Sequence, residues 1–453
     1  MPRAAIAVVR ELRQAGHAAY LVGGCVRDLV LGLPPKDYDV ATSARPEEVT
    51  ACFRRVAQVG AAFGVVRVLQ SEGDETIDIE VATFRADVGY SDGRRPDAVR
   101  FTDAREDVLR RDFTLNGLLL DPLAEDGSTA ERAEIVDLVG GLEDLAAGVL
   151  RAIGDPAERF EEDALRLARA VRFAARFGLR IEATTAAAIR ERGATLAQIS
   201  AERISAELEG MLRPPHAADA IRLLAELALA EVLFPSLAAR DPGLHRAAER
   251  LAALCAGVRW DDAVPDHAGA FAADHGLDFP LALAGLLWEV RPEDARRALA
   301  ELGEQLRLST AALRELAGIW RLASAIAEAF GDPHAHLPPL DPADPRLARL
   351  LREDQADAAL RLLLAEADVA SAWPAAARPW LRGLRRLRAT TPRAQWWPEP
   401  HVDGRALMAL GHRPGPVFRA ALDAALDVQL AGGDADAALQ AALRHLEAVP
   451  DDD

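Results

Sequence analysis

The chain has 453 residues, half of them apolar, and a formal charge of −18 from 53 Lys+Arg against 71 Asp+Glu. That length implies two or more domains with real cores, and three cysteines without paired spacing (Cys25, Cys52, Cys255) argue against a disulfide framework or a cysteine-built zinc site. The acidic total weighs mildly against a nucleic-acid binder, yet seven arginines between Arg151 and Arg180 and six between Arg378 and Arg393 concentrate positive charge where a phosphate backbone would need it.

Helical spacing over 3–15 gives an amphipathic segment, MPRAAIAVVRELRQ, rather than a signal peptide. No apolar stretch reaches membrane-spanning length, so a cytoplasmic protein without a membrane partner is expected. A short apolar strand, 19–22, then meets Gly23-Gly24 and a helix over 25–32 carrying Arg27. Two glycines between strand and helix leave backbone N–H groups that can approach phosphate closely. After a Pro-Pro turn, Asp37-Tyr38-Asp39 falls in an apolar run, 37–41. On a strand, the two aspartates point to one face. Paired carboxylates beside a phosphate cradle suit a divalent metal, with Mg²⁺ the usual choice.

A helix over 46–55 and strands over 64–70 and 76–84 follow. The last alternates strictly, so Ile77, Ile79 and Val81 face a core while Asp78 and Glu80 face away. That strand offers a third carboxylate; without the aspartate pair it would read as an ordinary wet face. Arg110-Arg111-Asp112-Phe113-Thr114-Leu115-Asn116 comes next, leading into a strand over 115–120. Two guanidiniums can neutralise a triphosphate, and the Asn116 amide is available to a ribose or primer end. Beyond about residue 140 the chain is helical almost throughout, with Pro-rich joints near 214–215, 331–345 and 392–400. The ten histidines are scattered, His334 and His336 within a Pro-rich loop, and metal ligation is not expected of them. Arg378–Arg393 is interleaved with Trp380, Trp396 and Trp397, which suits either an RNA face or a packed amphipathic helix.

These segments resemble the class II tRNA nucleotidyltransferases, the family of CCA-adding enzymes and bacterial poly(A) polymerases. LVGGCVRDLVLG (21–32), KDYDVAT (36–42), EVATFRADVGYSDGRRPDAVRF (80–101), EDVLRRDFTLNGLLLD (106–121), VDLVGGLEDL (136–145) and LRAIGDPAERFEEDALRLARAVRFAARFGL (150–179) carry the resemblance, with DGRALMALGHRPGPVFRAAL (403–422) in the tail. It implies an α+β fold: a small polymerase-β-like head of mixed sheet plus helices over 1–145, an all-α neck with base recognition over 146–215, a helical body over 216–345, and a helical tail over 346–453 that contacts tRNA.

By the same resemblance, Gly23, Gly24 and Arg27 hold the triphosphate, Asp37 and Asp39 bind two Mg²⁺, and Glu80 is preferred over Asp78 as the third carboxylate. Arg111 and Asn116 contact the incoming nucleotide. Glu162-Asp163-Ala164-Leu165-Arg166 matches the family's EDxxR motif, in which Asp163 and Arg166 act as a protein template. Three apart on a helix, they are neighbours on its surface. The carboxylate accepts from the exocyclic amine of C or A and the guanidinium donates to the adjacent ring nitrogen, whereas U and G mismatch both contacts. Arg169 and Arg172 continue the series, although each i+3 step drifts about 60° around the helix. Gly117 stands where the family has Ala, a change expected to loosen a strand. Trp288-Glu289 stands where some relatives carry a His-Asp metal pair, so no second metal site is expected.

The implied activity is template-independent addition of C and A to the 3′ end of tRNA from CTP and ATP, with pyrophosphate released. Poly(A) polymerase or an A-adding enzyme is the near alternative, and a catalytically silent RNA-binding protein a remote one. DNA is not an expected partner.

Overall fold

The computed structural model describes residues 1–57, 64–73, 75–89, 98–124, 129–239, 243–256, 277–290, 292–330, 339–341, 344–370, 373, 376–392, 395 and 398–447. It divides into two compact units, Met1–Met211 with Leu223–Pro235, and Leu212–Arg222 with Ser236–Asp453.

The first unit begins with α1 (Arg3–Gln14), whose periodic apolar residues bury Ala5, Val8, Val9 and Leu12. Its strands are β1 (Ala19–Val22), β2 (Asp39–Thr42), β3 (Val56–Ala57), β4 (Val65–Glu72), β5 (Glu75–Thr83), β6 (Arg85–Val88), β7 (Ala98–Phe101), β8 (Leu119–Leu123), β9 (Thr129–Val136), β10 (Val149–Leu150) and β11 (Arg180–Ile181). Seven of them form a mixed sheet in the order β3-β4-β5-β2-β1-β8-β9, while β6 and β7 make a separate hairpin. Register decides what each face carries. Leu21, Val40, Val81 and Val66 are paired in a row and fully buried. Each such side chain contributes about 1.5–3 kcal/mol. One residue along, the row Val22–Asp39–Glu80 turns to the other face and brings two carboxylates together.

The helices of this unit are α2 (Gly24–Val30), α3 (Pro46–Cys52), α4 (Ala104–Leu109), α5 (Gly141–Ala146), α6 (Pro156–Glu162), α7 (Leu165–Phe177), α8 (Ala183–Arg192) and α9 (Ala201–Met211). Three local expectations are corrected. Strand β2 begins at Asp39, so Asp37 lies in the exposed turn before it rather than on the strand. The strand expected over 115–120 starts only at Leu119; Thr114–Asn116 is a 3-10 turn. That turn is imposed from outside, because the Thr114 hydroxyl donates to Asp144 (2.8 Å) and α5 comes so close that a Cβ on Gly141 would lie 2.3 Å from the Thr114 carbonyl oxygen. Gly117 loosens nothing. It sits off the strand, and a Cβ there would come within 2.7 Å of Val139 and 3.1 Å of Val108.

The second unit is helical among the described residues. Glu289, where the metal pair would fall, accepts instead from Arg250, a fully buried guanidinium that Glu366 also engages. The cluster ties helix Gly243–Cys255 to helix Ala356–Val369. It is packing, since removing one member of a buried ion set leaves the others uncompensated. Among the described residues no helix is long and apolar enough to cross a membrane. His334, His336, Trp396, Trp397 and most of the joint 331–345 lie outside the described residues.

Candidate active site

The site starts at the end of β1. Gly23 takes φ +71°, a conformation side chains rarely adopt, and turns the chain from β1 into α2. A Cβ on Gly23 would lie 3.2 Å from Arg111 Nη1, so the turn also leaves room for that guanidinium. Sheet register sets Asp39 beside both Val22 and Glu80. Burial, then Glu80 and Asp37, push the Asp39 carboxyl up to about 6, against the pull of Arg111. Asp78 is ion-paired with Arg67 on the exposed part of the sheet. Glu80 therefore shares the cavity with Asp37 and Asp39, and Asp78 does not line it.

Arg27 is buried and fixed on three sides. Nε and Nη2 donate to Asp28 Oδ1 (2.8 and 2.7 Å), Nη1 donates to Asn116 Oδ1 (2.7 Å), and the guanidinium lies 4.6 Å from the Phe177 ring. Burial lowers its pKa, with Asp28 opposing the shift. Asn116 also donates from Nδ2 to Asp112 (2.9 Å). Each end of its amide thus carries one hydrogen bond, leaving a second N–H and a second lone pair. The 3-10 turn aims the side chain between Arg27 and Asp112, although Asn116 still lines the cavity. Asp107 holds both Arg110 (2.7 Å) and Arg111 (3.0 Å). Burial raises the Asp107 pKa, but the two guanidiniums outweigh it and keep the carboxyl below its ordinary range.

Asp163 and Arg166 are arranged differently from the expected i,i+3 surface couple. The helix breaks at Asp163, which has extended φ and ψ, separating α6 from α7. Asp163 Oδ1 accepts from Leu165 N (3.1 Å), capping α7, and Oδ2 accepts from Arg203 Nη2 (2.7 Å). Arg166 pairs with Glu162 (2.6 Å) and donates to the carbonyls of Arg159 and Arg110. These bonds occupy three of the five N–H donors a guanidinium carries. Arg169 is held by Asp112 (2.8 Å), and Arg172 by Glu207 (2.6 Å) and the face of Phe173. The 60° steps are too small to carry Arg172 off the cavity-facing side of α7.

All the residues expected to act converge on one cavity of about 760 Å³. Its lining sets nine arginines (Arg27, Arg85, Arg110, Arg111, Arg166, Arg169, Arg172, Arg176, Arg203) against five carboxylates (Asp37, Asp39, Glu80, Asp112, Asp163). A locally positive cleft in an acidic protein suits a nucleoside triphosphate. Sequence reasoning missed Asp28, Asp107, Arg203 and Glu207. Asp107 had a local signal, lying on α4 three and four residues before Arg110 and Arg111, which follow the end of that helix. Arg203 and Glu207 had none, being forty and thirty-five residues from their partners.

Among the described residues no three His, Cys, Asp or Glu side chains are gathered as a preformed metal cage. The donor set still fits a hard divalent ion that takes one or two carboxylates and completes its shell with phosphate and water oxygens.

Sheet, turn and cavity together define a nucleotidyltransferase head. Residues 19–151 match the model described as the poly A polymerase head domain, and 178–240 match the probable RNA and SrmB-binding site of polymerase A. The CCA-adding enzyme of Geobacillus kaustophilus is 36% identical over 344 residues, covering 73% of this chain and 80% of that one. Those of Geobacillus thermodenitrificans (42% identical) and Limosilactobacillus fermentum (46%) match 55% and 45% of this chain, and the chain spans only 62% and 48% of their length. The crystal structure of the Bacillus stearothermophilus CCA-adding enzyme in complex with CTP superposes with a TM-score of 0.70, 29% identity and 98% coverage of both chains. The chain belongs to the CCA-adding enzyme family.

Proposed function

We propose that this protein is a template-independent RNA 3′-nucleotidyltransferase that adds C and A to the 3′ end of tRNA from CTP and ATP. The carrying observation is that one cavity is lined both by the carboxylates Asp37, Asp39 and Glu80 and by the side chains of Asp163 and Arg166. An enzyme copying a template strand needs no such side-chain reader.

The nucleotide's triphosphate would lie against the Gly23-Gly24 turn with Arg27 and Arg111 neutralising it, and Arg169 and Arg172 would supply further positive charge. Asp163 would accept from N4 of C or N6 of A while Arg166 donates to N3 of C or N1 of A. A mismatched U or G leaves polar groups unpaired, at about 1–3 kcal/mol each. Asn116 would act at one remove, holding Arg27 in line with Asp112. The primer 3′-hydroxyl would give up its proton to water as its oxygen bonds to the α-phosphorus, the bond to the bridging oxygen would break, and pyrophosphate would depart carrying that electron pair. Divalent metal use is general in nucleotidyltransferases; we assign Mg²⁺ to Asp37 and Asp39 with Glu80 beside them, where it would activate the attacking hydroxyl and neutralise the leaving group. Residues 1–145 and 146–215 would serve as catalytic head and base-reading neck, with 216–345 and 346–453 measuring the tRNA. The work would be done in the cytoplasm.

The test supplies single nucleotides to tRNA ending before CCA, tRNA ending in CC, and unstructured RNA. Addition of two C and then one A to the first substrate supports the reading. A alone on the CC substrate makes it an A-adding enzyme, A on all three a poly(A) polymerase, and no incorporation anywhere refutes it.

A further inference from the structure

Helix α9 presents one face to the reading helix α7, and its charges are complementary in order. Arg203 and Glu207, one turn apart and so on the same side, meet Asp163 (2.7 Å) and Arg172 (2.6 Å) respectively. Close approach is built in: a Cβ on Gly210 would lie 2.6 Å from Arg172 Cδ. The Arg203–Asp163 contact is well shielded, with side-chain exposures of 19% and 17%. The backbone at Asp163 is not helical, so no regular hydrogen-bond ladder fixes this residue. Its carboxylate is oriented by two donors, Leu165 N on one oxygen and Arg203 on the other.

From this arrangement we infer that Arg203 is a positioning residue for base choice: it sets the plane of the Asp163 carboxylate so that the remaining lone pair on each oxygen faces the exocyclic amine of the incoming base. The inference rests on the reading of Asp163 and Arg166 as the base-facing pair. A carboxylate held at one oxygen only can rotate away from a base that offers a carbonyl instead of an amine. Without Arg203 the penalty against U and G therefore falls. One carboxylate reads both amines, so C over U and A over G must relax together. A purely structural role would slow all four nucleotides by a common factor.

The experiment measures kcat and KM for each nucleotide on tRNA transcripts ending before CCA and in CC, for the wild-type chain, Arg203→Ala, Arg203→Gln, Arg203→Lys and Arg166→Ala. Arg203→Ala should reduce both preferences about tenfold, mainly through a raised KM for CTP and ATP. Arg203→Lys, which keeps a charge but loses the planar fork, should recover part of the loss. Uniform loss across nucleotides in Arg203→Ala, while Arg166→Ala relaxes base choice, overturns the positioning role alone. Unchanged ratios in Arg166→Ala overturn the underlying reading as well. Should the alanine variant fail to fold, unchanged ratios in Arg203→Gln count against the proposal and relaxed ones for it.

Discussion

Two stretches of this chain are rich in arginine, and the structure uses them in different ways. Between Arg151 and Arg180, the side chains of Arg166, Arg169, Arg172 and Arg176 run down one side of α7 into the cavity, each held by an acidic partner or an aromatic ring. On helix Ala377–Thr390 much of the charge goes into packing. Arg388 is buried and donates to the carbonyls of Leu351 and Glu353 and to Asp357, while Arg378 pairs with Asp368 and Arg385 with Asp357. Trp380 is buried with them. Arg378, Arg382 and Arg386 stay exposed among the described arginines of that helix. A run of guanidiniums thus lines a cavity where acids hold it around a void, and makes a brace where acids and carbonyls close it off.

The largest expected effect lies among the carboxylates that the first stretch faces. Asp39→Asn or Asp37→Ala should lower nucleotide incorporation by at least about a thousandfold. Metal-free thermal stability at neutral pH should be kept, and for Asp39→Asn raised, since one crowded charge is gone. Near-normal turnover in either variant would remove the metal assignment.

Next is the brace. Arg388→Ala should cost about 3–5 kcal/mol, read from the denaturant midpoint, while leaving the ratio of CTP to UTP use untouched. A shift in that ratio would show that the second stretch reaches the chemistry after all. In the first stretch the pattern should invert: Arg166→Ala should raise UTP and GTP misincorporation by roughly ten- to a hundredfold. Loss of rate with unchanged base ratios would demote Arg166 to a tie between α7 and the carbonyl of Arg110.

A pH series separates metal from fold. Asp39 is raised from 3.8 to about 6 in the folded state, so the folded protein holds more protons than the unfolded one between those values. Metal-free stability should therefore fall as pH rises through that window. A divalent cation needs the ionised carboxylates, so its thermal stabilisation should be full above about pH 6 and vanish as pH drops below it. Equal stabilisation at about pH 5 and pH 7.5 would place the ion elsewhere.

The smallest effect is on salt dependence. Neutralising Arg382 and Arg386 together should reduce the salt slope of tRNA binding by about two units, and adding Arg385, already committed to Asp357, should change it little further. A flat response to all three would leave that helix with no RNA contact.

Much of the head was legible from residue order. Strict alternation in 76–81 placed Ile79 and Val81 inside and Glu80 outside, because a strand fixes side-chain direction with period two. Gly23-Gly24 before Arg27 marked the turn from β1 into α2, because few residue types tolerate the positive φ of Gly23. The failures share one cause, which is that tertiary contacts overrode local pattern. Packing of Gly141 against Thr114 turned an expected strand into a 3-10 turn and set the Asn116 amide between Arg27 and Asp112. A break at Asp163 replaced a helical surface pair with two residues held by separate partners. Sequence alone determined which chemical groups are present and the glycine turn between β1 and α2, since both depend on residue identity and short-range sterics. Which carboxylate orients which arginine depends on elements forty residues apart meeting at 2.7 Å, as Arg203 meets Asp163, and only the folded packing decided that.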